Sequence, residues 1–177
     1  MKTKITLVLW GLALAAPNAV AGQSLLDQAN QICFGAFEGA LLESQDFKAF
    51  QMKTKVPFMI SAYQGKIGGS KALVFLGERF GRKICDVNLP DAPVETYEEV
   101  HDRLSGLLGI AGTNYDQPGS ATGYRGEIWA DTETMSGPVE NLEIEGMDLS
   151  TVFVQFTRKP FKQTADRTGF IISYSTR

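Results

Sequence analysis

Few residues in this sequence can serve as a nucleophile or a general base, because its 177 residues include two cysteines and one histidine. A thiol enzyme would need Cys33 in contact with the imidazole of His101, which would take up the thiol proton. A serine triad would need the same histidine, and the Gly-x-Ser-x-Gly sequence that displays a catalytic serine is absent. No catalytic-cysteine signature surrounds Cys33. These patterns favour a protein without a catalytic centre.

A second candidate for chemistry is the segment 131–148, which is rich in acids and contains no lysine or arginine. Its acids are Asp131, Glu133, Glu140, Glu143, Glu145 and Asp148. Paired carboxylates can hydrolyse glycosidic bonds, and clustered carboxylates can bind calcium. The ligand spacing of an EF-hand is absent, and Glu143 and Glu145 stand two apart, as on the exposed face of a strand. We therefore predict a solvated acidic loop without a metal, and calcium binding is the alternative.

The segment 110–123 has the composition of a recognition loop. It is rich in glycine, serine, threonine and asparagine, and Tyr115 lies near its middle. A connection of this length without regular structure often binds a ligand. On the strand that follows, Arg125 and Trp129 share one face with Glu127, and aromatic and arginine side chains are enriched in binding hot spots. The predicted binding site is therefore Tyr115, Arg125 and Trp129, and the alternative is a mobile loop beside an ordinary strand.

The first 21 residues have the pattern of a cleaved secretory signal peptide. Lys2 and Lys4 precede an apolar run of about a dozen residues, and the small residues Ala19 and Ala21 have the spacing of a signal-peptidase site. A membrane-spanning helix needs about 20 apolar residues, so the run is too short for an anchor. We therefore expect cleavage after Ala21, export to the periplasm or the cell exterior, and no membrane insertion of the remaining chain.

Residues 22–177 are predicted to form a single domain, because their number suits one hydrophobic core and no linker composition interrupts them. Loss of the two leader lysines changes the formal net charge from −3 to −5. Nucleic-acid-binding proteins usually carry a basic surplus, so this charge argues against a nucleic acid as the partner. It also provides no attraction to anionic lipid.

Two cysteines in an exported chain are typical of a disulfide. Apolar residues recur at three- and four-residue steps over residues 25–41, which predicts a helix with Cys33 in its buried stripe. Residues 83–89 alternate as in a strand, and Cys85 lies on the apolar face of that strand. A helix packed on a sheet brings two such faces together, so we predict the disulfide Cys33–Cys85.

The remaining periodicities give the order of the secondary structure. Apolar runs predict strands at 56–63, 72–76, 83–89, 124–130, 151–158 and 169–175, with a short optional strand at 142–145. Pro90 and Pro93 are predicted to end the third strand. Thr96 and Glu99 have the spacing of a capping box that opens a second helix, which Gly109 ends. We therefore predict an α+β fold in the order α-β-β-β-α-β-(β)-β-β, a mainly antiparallel sheet with two packed helices.

Together these features predict an exported, non-catalytic accessory protein that binds a protein or a small ligand. An inhibitor, or a factor that assists assembly of the cell envelope, would have these properties. The competing hypothesis is a small exported hydrolase or thiol enzyme that uses Cys33, His101 or the acidic segment 131–148. No motif in the sequence indicates a cofactor or a structural metal.

Overall fold

The computed structural model describes residues 23–52, 57–93, 95–114, 124–130, 142–157 and 167–177. The predicted leader 1–21 lies outside these ranges, as do Tyr115 and residues 131–141 of the acidic segment. In the described ranges, no helix is long and apolar enough to span a membrane. The division into a cleaved leader and one domain stays a prediction.

The predicted α+β fold is confirmed, because the described residues form two α-helices and a mainly antiparallel sheet in the predicted order. The helices are α1 (Leu25–Phe37) and α2 (Glu95–Leu108), and a short 3-10 helix spans Leu42–Gln45. The strands are β1 (Lys48–Ala49), β2 (Met59–Ile67), β3 (Ser70–Arg79), β4 (Arg82–Pro93), β5 (Thr113–Asn114), β6 (Tyr124–Ala130), β7 (Glu143–Ile144), β8 (Met147–Thr157) and β9 (Arg167–Thr176). The two-residue strands β1 and β5 are additions to the prediction.

The strands form one sheet of two halves, which are joined by the pairing of β4 with β9. Among the described residues, the strand order across the sheet is β1-β2-β3-β4-β9-β8-β6-β5, and β7 pairs with β8. Each half consists of one helix followed by a meander, and the last strand of each half, β4 or β9, lies at the centre. The central register places Val87 opposite Ile172 and Cys85 opposite Tyr174. Both helices contact this sheet and each other, and one hydrophobic core lies between them and the sheet.

Helix α1 begins as predicted and ends earlier. Ser24 and Asp27 form a capping box, in which each side chain accepts a hydrogen bond from the backbone amide of the other residue. The helix was predicted to reach residue 41 but stops at Phe37, because Gly39 adopts a left-handed conformation with φ of +96° and turns the chain. Leu42, beyond this turn, still packs in the core.

The boundary between β4 and α2 also differs from the prediction. Strand β4 continues through both prolines, beyond the predicted end at Leu89. Its register with β9 shifts between Leu89 and Ala92, and such an irregularity accommodates Pro90, which has no amide hydrogen to donate. Glu95 is already helical, so Thr96 lies buried in the first turn and is not the residue that precedes the helix.

The predicted disulfide Cys33–Cys85 is present and joins α1 to the central strand β4. The Cα atoms of the two cysteines are 5.6 Å apart, and both residues are fully buried. Beside Cys85 on the same sheet face, the Tyr174 hydroxyl donates a hydrogen bond of 2.6 Å to Asn30 Oδ1 on α1. Burial, with a smaller effect of the Glu145 charge, raises the pKa of Tyr174 well above its usual value, so the hydroxyl stays protonated and remains a donor.

The sheet face opposite the helices is partly exposed and mixes apolar with polar side chains. Asp86 lies near its centre, between Phe75 on β3 and Ser173 on β9. Burial raises the pKa of the Asp86 carboxyl, and a hydrogen bond with the Ser173 side chain partly offsets this effect. Because desolvation opposes ionisation, the charged carboxylate destabilises the folded protein at neutral pH.

We predict that Asp86→Asn stabilises the protein increasingly as the pH rises above about 4. A carboxyl whose pKa is raised by folding contributes stability while it is protonated, and this contribution is lost as the pH rises through the folded-state pKa. The measurement is the urea midpoint of wild type and variant from about pH 4 to about pH 8. Glu78→Gln, which neutralises an exposed acid on β3, is the control. A midpoint difference that does not change with pH would contradict the prediction.

Loss of the disulfide is expected to lower the free energy of unfolding by about 4 kcal/mol, because the bond joins residues 52 positions apart. The comparison is urea unfolding of the oxidised protein with that of the reduced protein. Alkylation of the denatured, non-reduced chain should label neither Cys33 nor Cys85. Labelling of both would show that the bond is not formed.

Candidate functional site

The three predicted binding residues have different placements. Tyr115 lies outside the described residues, and Arg125 is on β6, opposite Phe156 of β8. Trp129 is on the same strand, but its side chain lies in the core and is 1% exposed. Its Nε1 donates a hydrogen bond of 3.2 Å to the carbonyl oxygen of Ile110, just after α2. The indole therefore anchors the segment that follows α2, and the binding role of the three residues stays a prediction.

The strand face shared by Glu127 and Trp129 points toward α2. Glu127 Oε2 lies 2.9 Å from His101 Nε2, and His101 Nδ1 lies 2.9 Å from Asp102 Oδ1. The ring of Tyr97 stacks on the imidazole with centroids 6.1 Å apart. Because both nitrogens face carboxylates, neither is directed at a thiol or a hydroxyl group.

The other residues of the enzyme hypothesis are also not assembled in the described part of the protein. Cys33 has no free thiol in the oxidised protein, because it belongs to the disulfide. From the acidic segment, residues 142–148 are described, and Asp148 lies 3.5 Å from Arg177 Nε. No group of three histidine, cysteine, aspartate or glutamate side chains within the described ranges is placed to hold a metal ion. In the described residues, Cys33 and His101 are thus not combined as a nucleophile and a base.

An exposed aromatic cluster lies at one end of β2 and β3. Phe58 is 49% exposed, Ile60 is 75% exposed and Phe80 is 87% exposed. The guanidinium of Arg79 lies over both rings, 4.8 Å from the centroid of Phe58 and 5.1 Å from that of Phe80. We refer to Phe58, Ile60, Arg79 and Phe80 as the aromatic corner. Its two rings are 6.4 Å apart, and cation–π contacts with Arg79 hold them together.

The backbone holds the aromatic corner in a strained conformation. Phe58 and Phe80 have left-handed φ angles of +69° and +54°. Such angles cost about 1–3 kcal/mol each in a residue other than glycine. The Phe58 carbonyl oxygen accepts a hydrogen bond of 3.0 Å from the Glu78 amide. A Cβ at Gly77 would lie 2.2 Å from that oxygen, so glycine is needed at this position.

A β-bulge in β2 leaves the side chain of Ile60 exposed to solvent. Met59 is opposite Gly77 and Ser61 is opposite Leu76, so Ile60 is the extra residue on β2. A pocket of about 450 Å³ adjoins the bulge. Its lining includes the apolar residues Phe50, Met52, Met59, Ile60 and Ala62. The aromatic corner is thus continuous with an apolar recess along β2.

Sequence reasoning missed the aromatic corner, although one signal for it was present. Phe80 stands between the predicted strands 72–76 and 83–89, where a large apolar side chain has no neighbouring strand face to pack on. Alternation placed Ile60 and Ala62 on one strand face, but Ala62 is buried whereas Ile60 is not. The bulge at Ile60 and the left-handed φ of Phe58 do not follow from alternation. The exposure of Phe58 and Ile60 is therefore seen only in the structure.

We predict that Gly77→Ala lowers the free energy of unfolding by about 1–3 kcal/mol, because the added Cβ would collide with the Phe58 carbonyl oxygen. Gly106→Ala on α2 is the matched control, since no atom lies within 4 Å of its added Cβ. Replacement of glycine within a helix should stabilise the protein by about 0.5–1 kcal/mol. Urea unfolding measures both variants. Similar effects of the two substitutions would show that Gly77 does not hold Phe58.

Comparison with known proteins finds no matching family model, no matching curated protein and no matching solved structure. A fold assigned by likeness would in any case not fix the function, which depends on the chemistry of particular sites. The exposed aromatic corner is therefore the basis for the proposed function.

Proposed function

We propose that this is an exported, non-catalytic binding protein, and that its partner is another protein contacted through the aromatic corner. The observation that carries the proposal is the exposure of Phe58 and Phe80, whose rings both contact the guanidinium of Arg79, together with the exposed Ile60 two residues after Phe58. Single exposed apolar residues are common on protein surfaces and need no explanation. A contiguous apolar patch on a small domain is typical of an interaction surface.

The side-chain chemistry favours a protein partner. Aromatic and arginine side chains are enriched at the centres of protein interfaces and supply most hot-spot energy. The two rings beside Arg79 restrict its guanidinium, which can bind a carboxylate through two parallel N–H donors. The proposed partner surface is therefore an apolar cleft with an aspartate or glutamate at its border.

The strained backbone gives independent support. Outliers such as the left-handed φ angles of Phe58 and Phe80 concentrate at functional sites, because the surrounding structure must hold them against their cost. A surface that is ordered before association loses little conformational entropy when a partner binds. The Gly77 contact and the Glu78 hydrogen bond supply this order.

Export is part of the proposal and is supported by the leader pattern at 1–21 and by the disulfide. The proposed location is the periplasm or the cell exterior. An inhibitor or an envelope-assembly factor would act there by occupying a partner's surface. The loop residue Tyr115 and its strand neighbour Arg125 remain a separate proposed contact, for a protein or a small ligand, and Trp129 would support it from the core by anchoring the segment after α2.

Photocrosslinking from a residue of the aromatic corner tests the proposal. A benzoylphenylalanine is introduced in place of Phe80 in the full chain, and in a control chain in place of Leu107, which is 55% exposed on α2. We expect position 80 to capture one defined protein from native extract that position 107 does not capture. Mass spectrometry identifies the captured chain, which is then purified for affinity measurements.

With the captured partner, Phe58→Ala and Phe80→Ala are each expected to weaken binding by about 1–2 kcal/mol, roughly 5- to 30-fold in Kd. Phe80→Ala should change the free energy of unfolding by no more than about 0.5 kcal/mol, because the ring is largely exposed. Leu107→Ala is the control and should bind as wild type. Normal binding by both phenylalanine variants, or capture of lipid in place of protein, would contradict the proposal.

A further inference from the structure

Three lysines gather on one sheet face at the other end of β2. Lys66 on β2 lies directly opposite Lys71 on β3, and Lys48 on β1 lies opposite Gln64, two residues before Lys66. Residues opposite each other in an antiparallel pair share one face, so the three exposed side chains project from the same side. A cleft of about 510 Å³ lies among them, which we refer to as the lysine cleft. It is lined by Asp46, Lys48, Gln64, Gly65, Lys66 and Lys71.

The stability of the fold does not explain this arrangement. Like charges directly opposite each other on paired strands are destabilising, by about 0.2–1 kcal/mol. Within the part of the chain that the structure describes, Lys48, Lys66 and Lys71 form no ion pair. The cluster does not follow from composition either, because the whole chain has a formal net charge of −3. A bound anion would offset the repulsion.

We propose that the lysine cleft binds an oxyanion, a phosphate or sulfate group, carried either by a small molecule or by a polymer. Three ammonium groups around one cleft supply several charged donors to such a group. The β2–β3 turn is tight, with φ of +55° at Gly68 and +81° at Gly69, and it fixes the register of the lysine pair.

The donors to the oxyanion are lysine side chains and not the glycine-rich turn. The Gly68 amide, which a phosphate loop would offer to its ligand, already donates a hydrogen bond of 3.0 Å to Gln28 Oε1 on α1. Sequence spacing likewise excludes a P-loop at Gly65–Ser70. The site therefore depends on the positions of Lys48, Lys66 and Lys71, and it is independent of the aromatic corner.

Isothermal titration calorimetry with sodium pyrophosphate and with sodium sulfate, at an ionic strength held constant with sodium chloride, tests the proposal. We expect saturable binding to the wild-type chain. Lys66→Gln and Lys71→Gln should each weaken it by about tenfold, whereas Lys71→Arg retains the charge and the binding. Arg82→Gln, which removes a positive charge near the opposite end of β3, is the matched control and should bind as wild type.

A thermal melt of the same variants separates loss of the site from misfolding. Without ligand, Lys71→Gln should melt at a higher temperature than wild type, because it removes the like-charge pair. If a sulfated oligosaccharide binds more tightly than inorganic sulfate, the oxyanion is carried by a polymer. If the two bind with equal affinity, the ligand is the free anion or a small molecule that carries it. Equal weakening by Arg82→Gln, or the lack of saturable binding of both pyrophosphate and sulfate, would overturn the proposal.

Discussion

The antiparallel pairing of β4 with β9 is the interaction on which the rest of the described structure depends. It joins a helix-and-meander half to a second such half, so the sheet and the core under it are continuous across both. The disulfide from Cys33 to Cys85 ties α1 to the centre of this joint, and Tyr174 on the facing strand donates a hydrogen bond back to Asn30 of the same helix. One covalent bond and one buried hydrogen bond therefore position α1 on both central strands.

Away from this joint, β2 and β3 form an antiparallel hairpin whose two ends have opposite chemistry. Ile60 belongs to the apolar end and Lys66 to the cationic end, about 20 Å apart at the usual rise per strand residue. The register of β2 with β3 thus places the two proposed surfaces at opposite ends of one hairpin. A partner and an anion could therefore occupy the hairpin at the same time without touching each other.

Sequence periodicity predicted the disulfide correctly, because the helical period placed Cys33 on the buried face of α1 and the strand period placed Cys85 on the buried face of β4. Alternation also placed Glu127 and Trp129 correctly on one face of β6. It does not say which face of the sheet the helices cover, and the Trp129 indole lies on the covered face. The contact between Glu127 and His101 depends on how α2 packs over β6, which no local pattern specifies. The exposure of Ile60 arises from a bulge, a register change that depends on pairing with β3.

The burial of Trp129 has a spectroscopic consequence. The sequence contains one other tryptophan, Trp10, which lies in the predicted leader. In a chain that lacks the predicted leader, the tryptophan fluorescence comes from a single buried indole, with the His101 ring centroid 6.3 Å away. Its emission wavelength then reports whether α2 is seated on the second half of the sheet, without any added label.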